Sequence, residues 1–394
     1  MIPYADFGYW GVLLYPALPT FVVGWGRRLR QAWILIATAG MLVIQYSAER
    51  VIGDNLALRE IWIVAGFAAF ECVLACGFVW LRRRTPGGRW LFGVVIVLGL
   101  APLVAARVLP RVAPAYQIGF LGISYLTFRS LDVLIGIQDR LIRALSPMTY
   151  LAYVLFFPTI SAGPIDRYRR FLDDWLRSRN RAEFLQDIDG AIQRIFTGFL
   201  YKFILAELIR RYWMEPAANQ PGLAGTVSYM YAYSLYLFFD FAGYTAFAVG
   251  VGYLFGIHTP ENFRRPFLAR DIRDFWNRWH ISLSWWLRDH VYMRFVMAAT
   301  KGKWFGNRYV GSYLGFFLSM GLMGLWHGFE VQYIGYGLYH GALLTGHDIF
   351  SRWNKTHQLW GDGLVWRAAG ILLTVQAVCF GFLIFSGHLN VSTR

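Results

Sequence analysis

Residues 312–328 read SYLGFFLSMGLMGLWHG, an apolar run that ends on Trp326, His327 and Gly328. The length and composition of this run are typical of a helix inside a lipid bilayer. An ionisable side chain costs free energy at such a depth, so it indicates a functional site within the membrane. His327 is therefore the first candidate for chemistry, and Gly324 and Gly328 are expected to leave room for a substrate beside it.

Apolar runs of this kind recur along the whole chain of 394 residues, of which 57% are hydrophobic and 15% charged. A soluble domain carries roughly 25% charged residues. The runs are continuous and do not alternate with polar residues, which argues against a membrane β-barrel. The sequence therefore predicts an all-α polytopic membrane protein.

Twelve membrane elements are predicted, and one of them is interrupted. The element at 147–162 is short and is broken by Pro158, with Gly163 and Pro164 just beyond it. Irregular backbone at membrane depth is tolerated where it is buried in protein or lines a cavity, so a re-entrant segment is expected there. The elements are predicted at about 7–26, 32–47, 61–81, 90–109, 115–137, 147–162, 192–209, 226–239, 243–257, 310–327, 331–349 and 367–387.

The net charge of +15 is carried mainly by arginines at the ends of apolar runs. Clusters at 27–30 and 82–84 follow the first and third elements, whereas the loop between the second and third elements has fewer basic residues. The positive-inside rule then places the N-terminus outside the cell membrane. We attribute the remaining basic excess to cytoplasmic loops and anionic lipid, or to an acidic partner at the cytoplasmic face. Nucleic acid is not an expected partner.

A second histidine lies in the polar, aromatic and basic stretch FWNRWHISLS, residues 275–284. If the stretch were one helix, Trp276, His280 and Ser284 would share a face and line a substrate pocket. Asp274 and Arg278 have the spacing of a helix ion pair, which we interpret as structural. The long stretch 258–309 is expected to contain short helices at the interface or in a cavity.

The pair His327 and His280 suits proton transfer. A neutral imidazole can accept a proton from a hydroxyl as that hydroxyl attacks an acyl carbon. The alternative for each ring is a packed or interfacial histidine with no chemical role. Neither histidine lies in a metal-ligand spacing, and Cys72, Cys76 and Cys379 show neither a metal motif nor a disulfide framework.

Other polar residues are candidates for a supporting role. Tyr339 and His340 lie on the element at 331–349, where packing is the simpler interpretation of His340. Asp240 lies in a long apolar stretch and needs a partner, which we expect among the arginines of 264–278. No nucleophile elbow, P-loop or dinucleotide fingerprint is present, so a serine hydrolase or a nucleotide-driven mechanism has no support.

These motifs resemble the membrane-bound O-acyltransferase (MBOAT) family. WHG at 326–328 and DFWNRWH at 274–280 match its paired segments, in which a helix histidine follows an upstream Asn or His. The resemblance covers about 120–345 and is closest to the branch that esterifies teichoic acids with D-alanine. Five further segments carry that likeness: GPIDRYRRF (163–171), FFDFAGY (238–244), TPENF (259–263), RDHVYMR (288–294) and YGLYHG (336–341). The chain departs from that branch at His290, where an aromatic residue is common.

The resemblance implies one membrane domain, 1–394, in which about 11 transmembrane helices form a ring around a central funnel with short re-entrant helices. Residues 1–110 would supply N-terminal helices, 120–345 the catalytic core, and 350–394 a C-terminal helix and tail. Outside 120–345 the likeness is one of hydropathy alone. The residues it implies for catalysis are His327 and His280, and those for substrate binding or support are Asn277, Trp279, Ser284, Trp326, Asp240, Tyr339 and His340.

The resemblance also implies the substrates of an acyltransferase in the cell membrane. The donor would be D-alanine held as a thioester on the phosphopantetheine arm of a small acidic carrier protein in the cytoplasm, with no cofactor bound to the chain itself. The acceptor would be a hydroxyl of (lipo)teichoic acid outside, reached with the help of an extracellular partner protein.

Two other functions remain open from the sequence. The first is O-acetylation of an exported polysaccharide such as alginate, which would use the same two histidine segments. The second is transport without covalent chemistry, in which intramembrane charges line a pathway. The residues of that pathway would be Arg129, Asp132, Lys202, Asp240 and His327.

Overall fold

The computed structural model describes residues 3–5, 7–47, 56–84, 89–113 and 118–390. Within these ranges the chain is helical, with one isolated antiparallel bridge between Phe263 and Trp279 and no longer strand. The predicted all-α class is thereby confirmed. The chain divides into two compact units, the first comprising Met1–Thr197 and Tyr244–Pro260 and the second Gly198–Gly243 and Glu261–Arg394.

Six helices in the described ranges are long and apolar enough to cross a membrane, so the protein is a multi-pass membrane protein. Shorter apolar helices accompany them, among them the pair within Phe7–Val23. The six candidate spans are Arg27–Tyr46, Glu60–Arg84, Trp90–Val112, Gly222–Leu254, Tyr309–His327 and Leu364–Phe385.

Helix Ile123–Gln138 is the centre of the first unit, where Leu56–Arg84 and Arg89–Val112 pack against it. Its start depends on Gly122, which has a φ of 94°. A Cβ on Gly122 would lie 2.3 Å from the carbonyl oxygen of Ile160, so only glycine fits this turn. The remaining helices that begin in this unit are Phe7–Ala17, Thr20–Val23, Arg27–Ser47, Pro147–Val154, Tyr168–Leu176 and Arg181–Phe199.

Two predicted boundaries in these elements are wrong and one is confirmed. The element expected at 7–26 is two helices, because Pro19 lies between Ala17 and Thr20. The elements expected at 226–239 and 243–257 are one continuous helix, Gly222–Leu254. Gly243 lies within this helix, and its missing side chain leaves room for the backbone of Lys202 to pack against it. The break in 147–162 is confirmed: the helix ends at Val154, before Pro158.

The second unit is built on two helices that pack very closely, Arg308–His327 and Val331–His357. A Cβ on Gly324 would lie 2.4 Å from the carbonyl oxygen of Tyr333, and one on Gly337 would lie 2.4 Å from that of Met320. Small residues at such a contact let two backbones approach within a membrane. Helix Leu364–Phe385 packs against Val331–His357 from another side.

The polar stretch before these helices consists of short helical pieces, as expected for an embedded segment. None of them is a membrane span by length. They are Ile272–Trp276, Ile281–Leu287, a π-helical turn Arg288–Tyr292 and Met293–Lys301, preceded by a 3-10 turn at Pro266–Leu268. Upstream in the same unit lie a π-helical turn Leu200–Leu205, Ala206–Ile209, a second π-helical turn Arg210–Met214 and Glu215–Ala218.

Candidate active site

His280 lies at a sharp turn and not within a helix. Its φ is 43° and its ψ is 51°, the left-handed conformation, and the next helix begins at Ile281. The prediction that Trp276, His280 and Ser284 share the face of one helix is therefore wrong, because Ile272–Trp276 ends four residues earlier. A non-glycine residue in this conformation costs free energy and is commonly found at functional sites.

A short antiparallel pairing holds this turn in place. The amide of Arg264 donates to the carbonyl of Arg278 at 3.0 Å, and the amide of Ile281 donates to the carbonyl of Asn262 at 3.0 Å. The fully buried Asn262 side chain accepts hydrogen bonds at Oδ1 from the Ser282 hydroxyl at 2.6 Å and from its amide at 3.2 Å. These hydrogen bonds hold the strained turn from several sides, so the imidazole of His280 is kept in one position.

His280 and His327 line the same cavity in the second unit, with a volume of about 60 Å³. A cavity of this size has room for a few water molecules or a small acyl group. The fold brings together two histidines that are 47 residues apart in the chain. The rest of the wall is apolar, and its aromatic members are Phe241, Trp276, Trp279, Tyr336, Phe382 and Phe385.

The two histidines differ in their surroundings. His280 is 4% exposed, and neither of its ring nitrogens has a hydrogen-bond partner among the residues that the structure describes. The edge of its ring meets Phe241, with the centroids 4.8 Å apart. His327 is half-buried at the end of its helix, and its ring centroid lies 4.8 Å from that of Phe385. Trp326 lies beside both rings, 4.5 Å from His327 and 6.2 Å from His280.

This arrangement can perform proton transfer in a small space with mostly apolar walls. A buried polar atom without a hydrogen-bond partner destabilises the folded protein. Where a native structure keeps such an atom, a common reason is that the atom binds a ligand or takes part in catalysis. The ring of His280 lies among mostly apolar lining residues, and a bound hydroxyl or carbonyl group would supply the missing partner of its nitrogens.

A second, larger pocket of about 500 Å³ shares Trp276 with the cavity. Asn277 and Ser284 line this pocket and not the cavity that holds the histidines. The Ser284 hydroxyl donates to the carbonyl of Trp279 at 3.0 Å. Arg273 and Arg288 are also on its wall, each about half exposed.

His340 and Tyr339 stand behind the cavity wall. His340 is fully buried, and its ring lies 4.5 Å from that of Tyr336 and 5.0 Å from that of Trp276. The Tyr339 hydroxyl donates to the carbonyl of Ala377 at 2.9 Å, which fixes it to the last helix. Both residues therefore support the wall and do not line the cavity.

Asp240 has a different partner from the one expected. Lys202 Nζ lies 2.5 Å from Asp240 Oδ1, so the partner is a lysine of the π-helical turn Leu200–Leu205 and not an arginine of 264–278. The ion pair between Asp274 and Arg278 is confirmed, with Arg278 Nε 2.7 Å from Asp274 Oδ1.

The glycines beside His327 do not provide space for a substrate, contrary to expectation. Gly324 is filled by the neighbouring helix, and a Cβ on Gly328 would lie 2.5 Å from the ring of Tyr333. The close packing of two helices uses this space, so the room beside His327 lies on its other side, toward Met323 and Phe385.

The aromatic and aliphatic residues that line the histidine cavity were not predicted from the sequence. Phe382 and Phe385 lie on a helix without polar motifs, and their one signal is a spacing of three residues on that helix. Leu237 and Phe241 have the spacing of one helical turn, which places them on one face of Gly222–Leu254. Asn262, which holds the His280 turn, was visible only as part of TPENF.

Comparison with known proteins identifies the family. The model of the membrane-bound O-acyltransferase (MBOAT) family matches residues 89–391. The chain is 41% identical to the teichoic acid D-alanyltransferase of Bacillus subtilis (strain 168), over 98% of both chains. It is 36% identical to the teichoic acid D-alanyltransferase of Lacticaseibacillus rhamnosus, again over 98% of both. The likeness therefore extends beyond 120–345 to both ends of the chain.

A more distant similarity is to the probable alginate O-acetylase of Pseudomonas fluorescens, at 33% identity over 85% of this chain and 64% of that protein. All these relatives are named as acyl-transferring or acetylating proteins. The chain therefore belongs to the membrane-bound O-acyltransferase family and is a membrane-embedded acyltransferase.

Proposed function

We propose that this protein transfers D-alanine from a thioester on a carrier protein to hydroxyl groups of teichoic acid. The observation that carries the proposal is the joint placement of His280 and His327 on one small cavity. The near full-length similarity to teichoic acid D-alanyltransferases supports the choice of acyl group and acceptor.

His327 is the general base in this proposal. Its neutral ring takes the proton of the acceptor hydroxyl while that oxygen attacks the thioester carbonyl carbon. The carbon–oxygen bond forms, the carbon–sulfur bond breaks, and the departing sulfur takes up the proton, so no nucleotide or metal is needed. His280, held at its turn, donates a hydrogen bond to the polarised carbonyl oxygen in a site where such bonds are strong.

The larger pocket is proposed to receive the phosphopantetheine arm of the carrier. It has about 500 Å³ of space, and the amide of Asn277 and the hydroxyl of Ser284 are on its wall. Trp276 lines both spaces, so an arm in the larger pocket would bring its thioester next to the histidine cavity. The acidic carrier would dock at the cytoplasmic face, where residues 258–309 carry ten Lys or Arg against four Asp or Glu. Complementary charge favours such an encounter.

The remaining partners are proposed from the same activity. The teichoic acid would approach from the outside, with an extracellular partner protein assisting its delivery. In this orientation the N-terminus lies outside the cell, which agrees with the arginine clusters. The charges suggested for a transport pathway instead have structural partners: Asp132 binds Arg167 at 2.8 Å, and Lys202 binds Asp240.

The test uses the purified full chain, a carrier loaded with labelled D-alanine, and lipoteichoic acid. His327→Ala should reduce ester formation about 100-fold or more, because general-base catalysis contributes 10²- to 10⁴-fold. The matched control is His347→Ala, since His347 lies on the neighbouring helix and contacts Ser351 at 3.3 Å outside the cavity. Undiminished transfer by a folded His327→Ala protein would reject the assigned base.

The same assay separates the two competing functions. An acetyl-loaded donor that reacts while the D-alanyl donor does not would favour polysaccharide O-acetylation, the function in the name of the Pseudomonas relative. Ester formation by the purified protein would exclude transport without chemistry.

A further inference from the structure

Away from the histidine cavity, the first unit contains a pocket of about 410 Å³ between two helix ends. One wall is the end of Leu56–Arg84, and the other is the turn after Ile123–Gln138. Four arginines line it, and no acidic side chain is among its described lining residues. The four are Arg82, Arg83, Arg140 and Arg143.

Aliphatic side chains form the rest of this pocket, which we call the arginine pocket. They are Val79, Ile137 and Ile142. A site with cations at the rim and hydrocarbon at the floor matches a molecule with an anionic head and an apolar body. An inorganic anion would use the rim alone.

Backbone carbonyls orient the cations. Arg83 Nη2 donates to the carbonyl of Arg143 at 2.9 Å, and Arg82 Nη2 donates to that of Gln138 at 3.3 Å. A guanidinium carries five N–H donors, so one such bond at Arg83 leaves others to bind an anion. The planar fork of an arginine matches the geometry of a phosphate.

Arg140 has a conformation that normally favours glycine. Its φ is 60°, and the amides of Leu141 and Ile142 both donate to the carbonyl of Gly136 as the helix ends. Glycine is the usual residue at such a position, because a side chain there costs about 1 kcal/mol. A cation at a helix C-terminus recovers part of this cost from the dipole. That effect accounts for one or two arginines and not for four around one cavity.

The arginine pocket lies at the end of a candidate membrane span. The span Glu60–Arg84 ends at the pocket. Arg84 stacks on Trp80 with its guanidinium carbon 3.9 Å from the ring centroid, and Trp80 is 51% exposed. Tryptophans of this kind are enriched where a span meets the headgroup region. The phosphates of a bilayer are therefore within reach of the arginines.

We propose that the arginine pocket binds the phosphate of an anionic membrane phospholipid, with the glycerol backbone and the first acyl methylenes against the small exposed parts of Val79, Ile137 and Ile142. Basic pockets between membrane helices commonly bind anionic headgroups. Free phosphate shares the charge chemistry but has no use for the aliphatic floor. An acidic protein would need a broad exposed face, whereas this site is a pocket at a span end. The proposal does not depend on the transferase activity.

The test measures the binding of phosphatidylglycerol and phosphatidylcholine to the full chain in neutral detergent, by native mass spectrometry. The pocket variant is Arg83→Gln, Arg140→Gln and Arg143→Gln together. The control is Arg27→Gln, Arg28→Gln and Arg181→Gln, three exposed arginines elsewhere in the first unit. Both variants lose the same charge, so general attraction to anions falls equally.

We expect the pocket variant to bind phosphatidylglycerol about 10-fold more weakly than the control variant, because it loses three charge-assisted contacts. Binding of phosphatidylcholine should be equal in the two. Equal affinity of both variants for phosphatidylglycerol would overturn the proposal. Thermal unfolding of both variants checks that each is folded, and Arg83→Lys, which keeps the charge at that position, should retain more of the binding than Arg83→Gln.

Two further experiments distinguish a bound lipid from a free anion and from an acidic protein. Inorganic phosphate in tenfold excess should leave phosphatidylglycerol bound, and its full displacement would assign the site to a free anion. A pocket variant that loses binding of an acidic carrier protein while keeping phosphatidylglycerol would assign the surface to a protein. Either result rejects the lipid site.

Discussion

His280 and His258 are both held firmly by the fold, yet their rings have opposite surroundings. His258 lies in the first unit between two carboxylates: Nδ1 is 3.3 Å from Asp174 Oδ1 and Nε2 is 2.7 Å from Asp187 Oδ1. His280 lies in the second unit with both nitrogens buried, and within the described part of the chain neither of them makes a hydrogen bond. A histidine whose two nitrogens are occupied stabilises structure, whereas a histidine that lines a cavity with unpartnered nitrogens is available for a substrate.

The charge of the His258 ring follows from its two carboxylate partners. Hydrogen bonds to Asp174 and Asp187 raise the pKa of His258 to about 9, against the opposing effect of burial. Burial raises the pKa of Asp174, but hydrogen bonds from His258 and Arg170 outweigh it and lower that pKa to about 2. His258 is thus a cation at neutral pH, fixed between anions, and unsuited to act as a base.

The comparison is tested most strongly at His280. His280→Asn keeps a residue that tolerates the left-handed conformation and removes the imidazole. We expect transfer to fall about 100- to 1,000-fold with little change in stability, since one hydrogen bond to the developing oxyanion is lost. The measurement is the rate of D-alanyl ester formation with the purified protein.

His280→Ala provides a matched second variant at the same position. Its activity should fall at least as far, and its thermal midpoint should be lower than that of His280→Asn, because alanine tolerates a φ of 43° less well than asparagine does. Full activity of His280→Asn would place His280 with His258 among the structural histidines.

Substitution of Gly381 tests whether His340 supports the cavity wall from behind. A Cβ there would lie 2.6 Å from His340 Nε2, so Gly381→Ala should displace the ring that packs against Trp276 and Tyr336. Overpacking of this kind costs about 1–3 kcal/mol, and activity should fall with the displaced wall. Thermal unfolding and ester formation are measured together.

The control for Gly381 is Gly335→Ala. Its Cβ would meet only Ile384 Cγ2, at an ordinary 3.6 Å, so this variant should match or exceed the stability of the parent. Equal behaviour of the two variants would show that the His340 position does not matter to the cavity.

The smallest effect is expected at His258, where it depends on pH. The folded-state pKa is above the unfolded value of 6.5, so the stabilisation is fully present below about pH 6.5 and is lost as pH rises through about 9. His258→Gln should therefore lower the thermal midpoint at pH 6 and match the parent near pH 10. The difference at pH 6 corresponds to about 1 kcal/mol, since the cluster is partly exposed. A difference that does not change with pH would contradict a charged His258.

Prediction from the sequence worked best where a single local rule applies. Hydropathy predicted an element at each of the six candidate spans, although it divided Gly222–Leu254 into two. The prolines located the break after Val154, and a spacing of four residues predicted the pair Asp274–Arg278. It failed where distant backbones meet. Gly324 and Gly328 looked like room for a substrate, but the helix carrying Tyr333 and Gly337 occupies that space.

The sequence by itself determined the fold class and singled out the two histidines, because apolar run length and an ionisable group near an apolar run are local properties. The type of chemistry came from the resemblance of the flanking motifs to a known family. Only the tertiary structure decided that His280 leaves the helix at a left-handed turn, that Asn262 holds this turn, and that Phe382 and Phe385 complete the cavity. These features depend on contacts between segments far apart in the chain. The energies of such contacts have no signature in the spacing of residues along any one segment.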